Sequence, residues 1–331
     1  MHQIIRLIAA AAVLSIPGFG QSRPHLNPMV DLLKAGKPVF GLATPSARSG
    51  GRRGGGGGAG AETPAPVKTP LDLAKETLAH PEADYFFSGG MEGGVDRGLE
   101  AFTQYADALV AAGGIATSPA HRLLAPMNVK TPKISTDPAT AIENISKQLN
   151  AGVTTISFVH VDTAKELEQG IAAMRFTSRG GTRPENVGNA PKYWGVSEKE
   201  YREKADVWPL NPNGELVAWA IIETKEGLAN VREIAQVKGL GVLIPGAGTL
   251  RGVFSTKDAS GAIVRDEKAW EAAIQQVLAA CKEFEVACGY PATAADIEMR
   301  MKQGFSVFII QQFNENGFNA VKIGRQAAGR D

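Results

Sequence analysis

At 331 residues, with 44% hydrophobic and 21% charged side chains, the chain is long enough to bury a large core and too apolar to be disordered as a whole. Its 35 basic and 34 acidic residues leave a net charge of +1, which excludes the electrostatic footprint of a nucleic-acid-binding protein.

The chain opens on a short polar start with Arg6 and an apolar run from Leu7 to Phe19, with Gly18 and Gly20 just before Gln21. That run is too short to span a bilayer, and the pattern predicts a secretory signal peptide over residues 1–20. No later segment is long and apolar enough to cross a membrane. The expectation is a mature chain from residue 21 that is secreted or periplasmic, with no membrane association after signal removal. Its two cysteines, Cys281 and Cys288, could pair in such a compartment. Placed on a helical pattern and at the opening of a strand, they are read here as buried thiols.

A helix is predicted over residues 28–34 and a first strand over Pro38–Ala43. Residues 46–70 break all periodicity around the tract Gly50–Gly60, which includes Arg52 and Arg53, and predict a mobile loop. Helix and strand then alternate: a helix to Leu78, a strand at Asp84–Ser88, a helix from Val95, and a weak third strand at Pro132–Ser135. A helix capped by Asp137 leads to a strand at Thr154–His160. A further helix ends at Met174, and residues 177–214 form a long polar excursion. The strand from Val217 to Glu223 is followed by a helix and by the strand near Val242. Strands near Val286 and at Ser306–Ile310, each with a following helix, complete the pattern. The count and order predict one domain over residues 21–331, a closed (β/α)₈ TIM barrel.

Glu223 ends a strand that is otherwise almost wholly apolar. At the C-terminal end of a barrel strand, such an acid is a candidate ligand for a hard divalent cation. His160 ends the fourth strand, where imidazole chemistry near neutral pH would be useful.

The segments Ile221–Leu250 and Asp84–Gly94 resemble the HpcH/HpaI aldolases, also akin to citrate lyase β-subunits, along residues 28–325. The resemblance implies a barrel of the phosphoenolpyruvate/pyruvate type. It also implies a carbon–carbon lyase acting on a small anionic 2-oxo acid, a homo-oligomer, and Mg²⁺ or Mn²⁺ held by Glu223. The glycine turn Gly246, Ala247, Gly248 and Thr249 would line the cofactor. Glu92 is retained from the acidic signature after the second strand, as a supporting acid or water orienter. Lys133 is the cation nearest to the family's substrate-clamping arginine, and His160 is a relocated base or ligand. The sequence departs from the family pattern at Gly90, Gly93 and Ile221, which stand at the places of an aspartate, a histidine and a glutamine, and at Gly248 or Thr249, on one of which a second acid would fall. A barrel that binds a small anionic ligand without aldolase activity is the other reading these departures leave open.

Overall fold

The computed structural model describes residues 24–47, 67–134 and 137–330, so the signal-peptide expectation and the Gly50–Gly60 tract lie outside the described residues. Eight parallel strands form a closed barrel: β1 (Val39–Ala43), β2 (Tyr85–Ser88), β3 (Met127–Thr131), β4 (Thr155–Phe158), β5 (Leu216–Ile222), β6 (Leu240–Pro245), β7 (Ala287–Tyr290) and β8 (Val307–Ile310). Each pairs with the next, and β8 closes on β1 in the register Val39↔Val307 to Leu42↔Ile310. Among the described residues no helix is long and apolar enough to cross a membrane.

The two-residue period of a strand divides the core in two. Val39, Tyr85, Val217, Trp219, Val242, Ile244, Val307 and Ile309 pack inside the barrel, while Phe40, Phe86, Val129, Ile156, Ala218, Leu243 and Phe308 face the surrounding helices. Helix Pro28–Lys34, whose Asn27 cap accepts from the Met29 N–H at 3.2 Å, inserts Met29 and Val30 into the inner cluster. Glu215, just before β5, fixes this plug by accepting from the N–H groups of Leu26 and Asn27 at 3.1 and 3.0 Å. The N-terminal end of the barrel is thereby filled, and the opposite rim stays open.

Two sequence expectations are corrected. The third strand lies at Met127–Thr131, upstream of Pro132–Ser135, because Met127 and Val129 supply the outward apolar face while polar Asn128 and Lys130 occupy the inward one. Cys281, on helix Glu267–Glu283, and Cys288, on β7, form a disulfide with Cα atoms 5.6 Å apart, where buried thiols were expected. The packing of that helix directly on its own following strand brings the two Cα atoms within bonding range.

The excursion over residues 177–214 is tied down by buried aromatics. Trp194 and Tyr201, both fully buried, meet edge to face at 4.7 Å, and the Arg183 guanidinium stacks 4.3 Å from the Phe176 ring. At its end Asp206 accepts from Arg175 Nε at 2.6 Å, from Asn211 Nδ2 at 3.0 Å and from the Val207 N–H at 2.9 Å. Burial alone would push the Asp206 carboxyl up, but these donors outweigh it and hold it below the usual carboxylate range. A depressed folded pKa means that the stabilisation is complete above the unfolded value of about 3.9 and is lost as pH falls through the folded one. Arg175→Met is therefore expected to cost about 3 kcal/mol at pH 7 in urea unfolding. The difference from wild type should narrow below about pH 4; a constant difference across that range would contradict the assignment.

Candidate functional site

Strands of a parallel barrel all end at one rim, so their last inward side chains converge there with the first residues of the following turns. In this chain they enclose a cavity of about 350 Å³. Phe87, Trp219, Ile221, Ile244 and Ile309 make its apolar wall, and Glu92, Lys130, Ser157, Glu223, Thr249 and Gln311 bring polar groups to it.

Glu223 follows the last residue of β5 and is 5% exposed. Its Oε1 accepts from the Thr249 hydroxyl at 2.7 Å and its Oε2 from the His160 backbone N–H at 3.1 Å. Gly246 makes room for this side chain, since a Cβ there would stand 2.3 Å from Glu223 Cγ. The expected turn Gly246, Ala247, Gly248 and Thr249 thus lines the cavity, with Thr249 fixing the acid and Gly246 clearing its path.

His160 adopts φ 49°, a left-handed conformation that costs a non-glycine residue roughly 1–3 kcal/mol. Its donated N–H holds Glu223, and its ring Nδ1 lies 3.6 Å from Glu223 Oε2. The ring is partly exposed beside the acid and is not among the side chains lining the cavity.

The cation on the wall is Lys130, which sequence reasoning missed. It is the last inward residue of β3, in register with Ser157, and its Nζ reaches the two Glu92 carboxylate oxygens at 3.2 and 3.0 Å. Lys133 sits beyond the strand, away from the cavity wall, where its ammonium pairs with Asp162, which also accepts from the Thr224 hydroxyl. The hydrogen bond to Asp162 pushes the Lys133 ammonium up. Burial would raise the Asp162 carboxyl, but Lys133 and Thr224 prevail and hold it low. This charged pair ties together the turns after β3, β4 and β5. The signal for Lys130 was present: apolar Met127 and Val129 alternate with Asn128 and Lys130, which is the pattern of a strand with a polar inner face.

Trp219 is 1% exposed and forms part of the cavity wall, and its indole Nε1 has no acceptor in the structure. A buried N–H left in that state is costly unless a ligand or water completes it.

Mg²⁺ and Mn²⁺ are held through one or two carboxylates, with water and substrate oxygens completing the shell. Both Glu223 oxygens have donors, and both Glu92 oxygens face the Lys130 ammonium. At the place of the family's second acid, Gly248 or Thr249, there is no carboxylate: Thr249 brings a hydroxyl that donates to Glu223, and Gly248 has no side chain. Among the described residues no group of three or more His, Cys, Asp or Glu could hold a metal. The residues present do not fit a divalent ion chelated by the protein.

Comparison with known proteins agrees with the barrel. The HpcH/HpaI aldolase/citrate lyase family profile matches residues 103–318. Among solved structures, the chain is similar to an HpcH/HpaI aldolase/citrate lyase family protein from Burkholderia cenocepacia J2315, with TM-score 0.62, 20% identity, and 92% of this chain and 98% of that one covered. It is also similar to an HpcH/HpaI aldolase from Desulfitobacterium hafniense DCB-2, with TM-score 0.56, 16% identity, and coverage of 84% and 88%. Citrate synthase SbnG gives TM-score 0.55, 18% identity, and coverage of 86% and 90%. These likenesses are of fold. No protein with a curated description matches the chain in sequence.

Proposed function

Because this chain belongs to the HpcH/HpaI aldolase/citrate lyase family, we propose that it is a carbon–carbon lyase acting on a small 2-oxo acid, with the cavity at the barrel rim as its active site. The observation that carries this reading is the placement of one ammonium, Lys130, against an apolar wall with Glu92 and Glu223 beside it. An anion with a planar carboxylate and keto group needs that arrangement: a cation for its charge, an apolar surface for its carbon face and a base within reach.

In this reading Lys130 faces the substrate's carboxylate and keto oxygens. For a 4-hydroxy-2-oxo acid, Glu223 takes the proton of the C4 hydroxyl, directly or through water. The C3–C4 bond then breaks, an aldehyde leaves, and the electron pair passes into an enolate whose oxygen Lys130 stabilises. The proton returns from Glu223 to C3, giving the shorter 2-oxo acid. Glu92 orients Lys130, and His160 links Glu223 to solvent at the rim. Lys133, which pairs with Asp162, takes no part. The Mg²⁺ or Mn²⁺ that family membership implies would polarise the same oxygens, and the donor set above gives it no seat.

Two further parts of the reading have their own support. The Cys281–Cys288 disulfide favours a secreted or periplasmic location, since such bonds persist in oxidising compartments. Family membership favours a homo-oligomer.

Exchange of the pyruvate methyl protons for deuterium, followed by NMR, tests enolate formation whatever the aldehyde partner is. Catalysed exchange, lost in Glu223→Gln, is the expected result. Binding of pyruvate or oxalate with no exchange under any condition, with EDTA or with added Mg²⁺ or Mn²⁺, would instead favour a barrel that binds a small anion without turning it over.

A further inference from the structure

We propose that this site has replaced the divalent ion by the Lys130 ammonium, and that it binds and polarises its 2-oxo acid without a metal. The inference rests on the reading of the cavity as a 2-oxo acid site, and deepens it by making Lys130 sufficient for binding and polarisation with no metal present.

Three observations carry it. The place of a second acid, at Gly248 or Thr249, holds no carboxylate, and what faces Glu223 there is the Thr249 hydroxyl. Each carboxylate oxygen on the wall already faces a donor: Glu223 takes the Thr249 hydroxyl and the His160 N–H, and Glu92 takes Lys130. Lys130 is inward-facing on β3, so its ammonium is carried by a rigid strand rather than by a loop. A dication entering the cavity would find Glu223 with the Thr249 hydroxyl beside it in place of a second carboxylate, and would lie near a fixed positive charge. An anionic ligand meets the opposite situation. It shares Lys130 with Glu92 and lays its carbon face on the apolar wall.

The chemistry balances without a Lewis acid. The enolate is formed by breaking the C3–C4 bond and is neutralised as an ion pair with Lys130, while the hydroxyl proton moves to Glu223 and then to carbon. No oxidant, reductant or further reactant is required.

Calorimetric titration of oxalate into the protein tests this, in EDTA and again with excess Mg²⁺, alongside Mn²⁺ titration followed by electron paramagnetic resonance. The expected result is oxalate affinity in EDTA that is equal to or tighter than that with Mg²⁺, pyruvate exchange that persists in EDTA, and no bound Mn²⁺. Thr249→Asp, which puts a second acid beside Glu223, is expected to gain Mn²⁺ binding. Oxalate binding or exchange that appears only with Mg²⁺ or Mn²⁺ would overturn the metal-free site and leave the lyase reading standing. Absence of oxalate binding under both conditions would overturn both.

Discussion

Lys130→Met is expected to weaken oxalate binding by at least about thirtyfold and to abolish pyruvate exchange, while thermal unfolding stays within about 2 °C of wild type. The charged side chains on the cavity wall are Glu92, Glu223 and Lys130, so the wall carries one negative charge in excess. Removing the ammonium doubles that excess and leaves Glu92 facing the incoming anion. Loss of one partner from a hydrogen-bonded charge pair in a partly desolvated site costs roughly 2–5 kcal/mol of binding, and the lower figure already corresponds to about thirtyfold. Stability responds much less, because Glu92 is 37% exposed and methionine fills nearly the same volume as the lysine stem. Lys130→Arg should retain most of the affinity, since a guanidinium can reach both Glu92 and a carboxylate. Glu92→Gln is expected to tighten oxalate binding by freeing the ammonium from its competitor. If Lys130→Met bound oxalate as wild type does, the cation for the substrate would have to be sought elsewhere.

Most of the barrel was legible because its strands are of the kind that periodicity detects. Thr155–Phe158, Leu216–Ile222 and Leu240–Pro245 are almost continuously buried and rich in β-branched and aromatic residues, and they are bounded by glycine turns or helix caps. Glu223 stood out against such a run, and the structure puts it on the cavity wall. The third strand was placed too late because its inner face carries Asn128 and Lys130, so the apolar run is interrupted at every second position. That shift drew attention to Lys133 in place of Lys130. Trp194 and Arg183 stand out in the polar composition of residues 177–214, but nothing in it tells that they and Tyr201 are buried and anchor that segment. The disulfide was beyond sequence reasoning, since it depends on the angle at which helix Glu267–Glu283 packs on β7 and seven residues of separation leave that angle undetermined.

The largest loss of stability is expected from a change distant from the rim, Gly41→Ala, which should cost about 3 kcal/mol or more and lower the melting temperature by roughly 6–12 °C. Gly41 lies on β1 in register with Tyr85 on β2, and the Tyr85 ring lies across it. A Cβ at Gly41 would stand 2.0 Å from Tyr85 Cζ and 2.3 Å from each Cε, far inside contact distance. The ring has no easy retreat: it is fully buried, meets Trp219 edge to face at 5.2 Å, and donates its hydroxyl to the Phe308 carbonyl at 2.9 Å. Relief by tilting Tyr85 would push on Trp219, part of the cavity wall, so the same substitution should also weaken oxalate binding in the protein that remains folded. Truncating the ring in Gly41→Ala/Tyr85→Leu removes the clash at the cost of a cavity and a hydrogen bond. The double variant should therefore lie above the sum of the single losses by about 1 kcal/mol or more in a double-mutant cycle. Strict additivity, or a neutral Gly41→Ala, would mean that the ring is not seated over β1 and that the inner layer supporting the site is packed differently.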